Sequence, residues 1–308
     1  MTNKMLRGII PVIATPFTED EGLDLEALER LVDFAAISGA AGICLPAYGS
    51  EFYKLTDPER AAVIRTAVKS SKGRVPVLAQ SNDPCARSAV EIAQRNASLG
   101  AGAIAFAIPR QFALPEDEVL RYCETVAKAV TIPVLVQDFN PGGATVGANF
   151  AVRLLEVADN FRYLKLEEPM MSSKVRAIRK ATRDQVGLFE GWGGMYLLEL
   201  ISEGISGAVP GLAMCDLFAR VFDLASKGDL AAAMTIYRSM LPQIVFCLQS
   251  MELYHHCEKR LLRARGLLSS TVVRNPTFRL DAGTQAHIDF LNNMVLLELD
   301  RQGLKRSP

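Results

Sequence analysis

Paired cysteine is the first thing this sequence lacks. Its six cysteines (Cys44, Cys85, Cys123, Cys215, Cys247 and Cys257) contain no C-x-x-C pair and no even framework. That excludes a disulfide scaffold or a zinc set and fits reduced, buried thiols of a cytoplasmic protein. An excess of charge is also missing, since Lys+Arg and Asp+Glu both number 34. The balance argues against a nucleic-acid groove or an anionic membrane as the main partner. The opening Met-Thr-Asn-Lys-Met-Leu-Arg-Gly has no apolar stretch of the signal-peptide kind, and no later window reads as apolar enough to span a bilayer. The expectation is a soluble cytoplasmic chain with no membrane partner. Histidine is scarce, and His255, His256 and His287 all fall near the C-terminus. With no H-E-x-x-H, no P-loop and no metal-ligand spacing of carboxylates, neither a metal nor another cofactor is expected.

What is abundant is apolar material, 49% of 308 residues, in a repeating pattern. Short runs predict strands at Gly8–Ala14, Gly42–Pro46, Val75–Gln80, Ala103–Ala107, Val134–Gln137, Tyr163–Leu166, Val186–Phe189 and Gly207–Val209. Most are apolar throughout, as expected of strands covered by helices on their outer side. Helical patterns separate them. Asp24–Ser38 puts Leu25, Leu28, Leu31, Val32 and Ala35 on one stripe and stops at Gly39. Thr56-Asp57-Pro58-Glu59 has capping-box spacing with proline in the first turn. Further helices are predicted at Cys85–Leu99, Pro115–Val130, Phe150–Ala158, Ser172–Thr182, Met195–Glu203 and Leu217–Ser226. Eight β–α units fit a (β/α)₈ barrel, whose usual size is ~250 residues. A doubly wound sheet would carry a glycine fingerprint after its first strand, where Ala14-Thr15-Pro16-Phe17 stands instead. The reading is therefore an α/β TIM barrel over residues 1–228. After Gly228 the β signal stops. Asp229–Leu241, Ile244–Ala264 and Ala282–Gln302 predict a C-terminal helical extension, residues 229–308, covering the barrel side or forming a subunit contact.

Chemistry in such barrels gathers at the C-terminal ends of the strands. The sixth strand carries Lys165 inside Tyr163-Leu164-Lys165-Leu166-Glu167. A lysine in a buried strand must be desolvated, a cost that makes sense if the amine is needed neutral, as a nucleophile toward a carbonyl. Strand alternation places Tyr163 and Glu167 on the side of Lys165, with Leu164 and Leu166 on the other. Lys165 and Glu167 then read either as nucleophile and acid–base partner or as a structural ion pair. Tyr48-Gly49-Ser50 offers N–H groups and a hydroxyl suited to a substrate carboxylate, or forms an ordinary βα loop. Glu190 precedes Gly191-Trp192-Gly193-Gly194, where three glycines suggest close backbone approach to a ligand or a tight turn.

Taken in order, these residues resemble the dihydrodipicolinate synthase / N-acetylneuraminate lyase superfamily of class I aldolases. Thr15-Pro16-Phe17 matches its T-P-F. Ala47-Tyr48-Gly49-Ser50-Glu51, Leu55-Thr56 and Glu59-Arg60 stand at its G-T-T-G-E, L-T and E-R. Gly207-Ala208-Val209 stands at its strand-eight G-V-I, and Arg274-Asn275-Pro276 resembles its late R-x-P. The resemblance spans essentially the whole chain. It implies a barrel that is usually a homotetramer, with Lys165 as the lysine that forms an imine with a 2-keto acid.

Departures narrow the expected activity. The family's synthases have Y-N where Gln137-Asp138 stands, an arginine where Gly142-Gly143 lies, and paired threonines in place of Tyr48-Gly49. Gln137-Asp138, Lys165-Leu166-Glu167 and Glu190-Gly191-Trp192 look instead like the 2-keto-3-deoxy sugar-acid dehydratases, notably the L-2-keto-3-deoxyarabonate branch. That resemblance implies catalysis by Lys165, Glu167 and Gln137. It implies substrate contacts from Tyr48, Gly49, Ser50, Glu190, Gly191 and Val209, with Glu190 or a water held by Ser50 assisting the acid–base step. A pyruvate-dependent aldolase, a 4-hydroxy-tetrahydrodipicolinate synthase and a non-catalytic keto-acid-binding protein are the alternatives.

Overall fold

The computed structural model describes residues 5–140 and 143–307. Among them, eight parallel strands form one sheet: β1 (Gly8–Ile9), β2 (Ile43–Leu45), β3 (Val77–Gln80), β4 (Ala103–Ala107), β5 (Val134–Phe139), β6 (Phe161–Glu167), β7 (Gly187–Glu190) and β8 (Gly207–Ala208). Their order is β1-β8-β7-β6-β5-β4-β3-β2. The remaining seam closes through single bonds: Cys44 N–H donates to Pro11 O (3.0 Å) and Ile13 N–H to Cys44 O (3.1 Å). The result is the expected TIM barrel. Beyond Ile9 the predicted first strand is reduced to a bridge at Val12. Pro11 sits between them and has no N–H to give a ladder.

Eight helices alternate with the strands: α1 (Leu25–Ile37), α2 (Asp57–Ser71), α3 (Ala86–Ser98), α4 (Glu116–Lys128), α5 (Ala148–Val157), α6 (Ser172–Thr182), α7 (Leu197–Ile201) and α8 (Cys215–Ser226). Local chemistry explains their starts. Asp24 accepts from Ala27 N–H at α1 (2.9 Å), and Thr56 and Glu59 form the predicted capping box at α2. Alternation divides the apolar residues between two layers. Leu135, Tyr163, Phe189 and Val209 fill the barrel interior, while Leu164, Leu166 and Leu188 join the larger cluster under the helices.

The C-terminal helices are α9 (Leu230–Cys247), α10 (Met251–Ala264) and α11 (Ala282–Arg301). Their boundaries correct the sequence reading. Pro242 does not end α9. The break falls where Ser250 caps α10 by accepting from Leu253 N–H (3.1 Å). A second correction concerns α9 itself, which is long and apolar enough to cross a membrane by length and composition, with mean hydropathy 1.3. Here it packs on α8 and α11 and buries Ala233, Ile236, Tyr237, Met240 and Ile244. A third concerns cysteine: Cys85 is exposed just before α3, whereas the other five are buried.

Candidate active site

β6 points Lys165 and Glu167 into the C-terminal mouth of the barrel. Both are buried, at 6% and 7% exposure, and Lys165 Nζ lies 3.1 Å from Glu167 Oε1. The register Gln137↔Lys165 brings β5 alongside with the same facing. Gln137 donates to Glu167 Oε1 (2.5 Å) and accepts from Gln80 Nε2 of β3 (2.9 Å). A buried chain Gln80–Gln137–Glu167–Lys165 therefore crosses the mouth. Burial pushes the Glu167 carboxyl above its ordinary range, against the pull of Lys165 and of the Gln137 bond.

Gly191 explains how the pair fits. A Cβ there would lie 2.4 Å from Glu167 Cγ and 2.6 Å from Lys165 Cε. Only glycine leaves room for the two chains to pass the end of β7. Lys165, Glu167, Gln137, Tyr48, Gly49, Gly191 and Val209 all line one cleft. The main-chain N–H groups of Tyr48 and Gly49 make no backbone bond to a described residue. Tyr48, Phe139 and Trp192 form an aromatic rim, with ring centroids 5.7 and 6.1 Å apart in sequence.

Two of the expected substrate contacts, Ser50 and Glu190, do not line this cleft. Ser50 donates its hydroxyl to Ile13 O (2.5 Å) and accepts from Ala47 N–H (3.0 Å), so it ties the segment after β1 to the segment after β2 and does not line the cleft. Glu190 follows the inward Phe189 and therefore points outward. It accepts from Gly194 N–H (2.8 Å) and Tyr196 N–H (3.5 Å), pinning the glycine turn from behind. Burial pushes its carboxyl up to about 7. Asp138 also faces outward, accepting from Arg110 Nε (2.9 Å), Arg110 Nη2 (2.7 Å) and Val146 N–H (2.6 Å). The adjoining Gly142 lies outside the described residues.

Other residues of the mouth were missed. The sequence reading had the C-terminal helices cover the barrel side or form a subunit contact, yet Leu248, Met251 and Tyr254 of the α9–α10 corner line the cleft. Gln80 was read only as the end of a strand. Its position on the inner face of β3, opposite Ala105 of β4, was the available signal. Among the described residues no group of three or more His, Cys, Asp or Glu side chains is arranged to hold a metal.

The closed parallel barrel, the inward lysine at the end of β6 and the glycines at the ends of β7 and β8 define an aldolase/lyase-type TIM barrel. The model of the dihydrodipicolinate synthetase family matches residues 5–291, and the chain belongs to that family. It is 29% identical over 287 residues to the L-2-keto-3-deoxyarabonate dehydratase of Azospirillum brasilense, covering 92% of each chain. It is 28% identical over 241 residues to a 4-hydroxy-tetrahydrodipicolinate synthase of Phocaeicola vulgatus, covering 77% of this chain and 80% of that one. Among solved structures, a prophage protein of the dihydrodipicolinic acid synthase family from Escherichia coli K12, in complex with pyruvate, superposes with a TM-score of 0.87. It shares 24% identity, over 96% of this chain and 100% of that one.

Proposed function

We propose that the protein is an imine-forming lyase that dehydrates a 2-keto-3-deoxy sugar acid. The observation that carries this reading is the buried Lys165–Glu167 contact of 3.1 Å facing the cleft, beside a glycine without which the pair would not fit. Glu167 receives the proton that Lys165 gives up, and the freed amine attacks the C2 ketone. The 2-keto acid's carboxylate meets the Tyr48–Gly49 turn. Once water has left, the iminium draws electrons from C3, and Glu167, restored by solvent, takes a C3 proton. The enamine so formed expels the C4 hydroxyl, which leaves as water with the proton Glu167 took from C3, and hydrolysis of the remaining imine frees the product and returns Lys165. Gln137 fixes the Glu167 carboxylate in position, and Gly191 and Val209 shape the walls. The resemblance of the motifs to the deoxyarabonate branch supports dehydration. Aldol cleavage through the same imine is the second reading, supported by the family's many aldolases and synthases.

Borohydride with pyruvate should leave a reduced adduct on Lys165, read by mass spectrometry, and its absence would sink the imine. Incubation with a 2-keto-3-deoxy acid should then give a semialdehyde retaining every carbon. Released pyruvate would transfer the assignment to the aldolase. We further propose a cytoplasmic homotetramer, for which exposed Leu230, Met234, Val245, Phe290 and Leu297 supply apolar contact surface. Sedimentation that finds only monomer removes that part.

A further inference from the structure

A glutamine amide carries its donor and its acceptor on one flat group, so a buried glutamine has a direction. In the chain that ends at Lys165 that direction is set by charge. The Glu167 carboxylate only accepts, and it faces Gln137 Nε2 (2.5 Å). Gln137 Oε1 then points the other way and accepts from Gln80 Nε2 (2.9 Å). The two amides belong to β3 and β5 and meet across β4, whose residues paired with them, Ala105 and Ala107, have no bulk. Gln80 is 4% exposed and Gln137 is 1% exposed. Gln80 Oε1 is buried as well, and it has no hydrogen-bond partner among the described residues. An unpaired buried acceptor costs stability, and a side chain ending in carbon would avoid that cost. Turning the Gln80 amide over would set two oxygens against each other at Gln137. What Gln80 brings to this place is therefore its N–H alone.

Resting on the imine reading above, we propose that Gln80 is a positioning residue that acts through Gln137. Its N–H holds the Gln137 oxygen away from Glu167, so that the Gln137 N–H always meets the carboxylate that takes the proton from Lys165. Without that lock the Gln137 amide is free to turn over. Its oxygen would then face Glu167, an arrangement that holds only while Glu167 is protonated and unable to act as a base. The other titratable neighbours of Glu167 are Lys165 on its own strand, Tyr48 after β2, and Asp138 and Glu190, which face outward from β5 and β7. A substitution at Gln80 removes none of these groups.

The test follows the rate at which pyruvate and cyanoborohydride label Lys165, as a function of pH, in the wild type, Gln80→Met, Gln137→Met and the double variant. Gln80→Met should label about tenfold more slowly near neutrality, with the acid limb of its profile moved to higher pH. It should add nothing to the loss caused by Gln137→Met. Its melting temperature should stay close to that of the wild type, since the unpaired Gln80 oxygen is removed as the Gln137 oxygen loses its partner. Gln80→Asn keeps an amide but falls one methylene short of Gln137. It should show the same slow labelling and the same shifted limb, and it carries the test if Gln80→Met does not fold. An unshifted acid limb in these variants, or a loss that adds to that of Gln137→Met, overturns the role of Gln80 alone. A wild type that is not labelled at Lys165 removes the imine, and this assignment with it.

Discussion

Two buried Lys–Glu pairs sit within the same barrel end and behave as opposites. Lys259 and Glu51 touch at 2.6 Å, both side chains are almost fully buried, and further partners surround them. Lys259 also donates to Val272 O (2.7 Å) and lies 4.3 Å from the centre of the Phe17 ring. Glu51 takes a second cation from Lys54 (3.2 Å) and the Arg274 N–H (3.1 Å). Arg274 covers the other contact with Phe17 and pairs with Glu59. Lys165 and Glu167 have similar burial but far fewer partners. Their neighbour is an open cleft. Burial of a charged pair therefore does not by itself mark a site. Unfilled hydrogen-bonding capacity facing a cavity does.

The comparison breaks most sharply through paired substitutions. Lys165→Ala should lower turnover by about 10³-fold or more, because the nucleophile itself is lost. Its cost in stability should stay below about 2 kcal/mol, since Glu167 keeps Gln137 and gains cleft water. Lys259→Met should do the reverse, costing about 3–5 kcal/mol in urea unfolding by leaving Glu51 undercompensated. At low temperature that variant should still give the pyruvate adduct on Lys165. Equal stability losses in the two variants would erase the distinction.

A smaller effect concerns the outward carboxylate. Glu190 is raised from 4.5 to about 7 in the folded chain, so the folded state holds a proton there that the unfolded chain has released. That stabilisation is full below about pH 4.5 and disappears as pH rises through about 7. Glu190→Gln should flatten the decline in melting temperature between about pH 5 and pH 8. The flattening is partial, because Glu258 is also raised to about 7. An unaltered slope would mean that Glu190 does not titrate as its burial demands.

The barrel was legible because strands buried on both faces read as continuous apolar runs, and because Lys165 interrupts one of them. The inward pairing of Lys165 with Glu167 followed from period-two alternation alone. The same rule, started from Phe189, would have turned Glu190 outward. The brace made by Ser50 was not legible, because a hydroxyl in a loop gives no sign of which backbone it will bind. Phe17, Glu51, Glu59 and Arg274, which carried the family resemblance in the sequence, assemble the saturated cluster. Tyr254 was not legible, since nothing in a helical pattern tells which part of a barrel the helix will cross.

The bond between Lys259 and Glu51 joins positions 208 residues apart. As the chain leaves the ribosome, Glu51 emerges early and waits for Lys259 and Arg274 until nearly the whole polypeptide is out. The strand ends near the second strand thus stay electrostatically unfinished through most of synthesis, and the last quarter of the chain decides when they can settle.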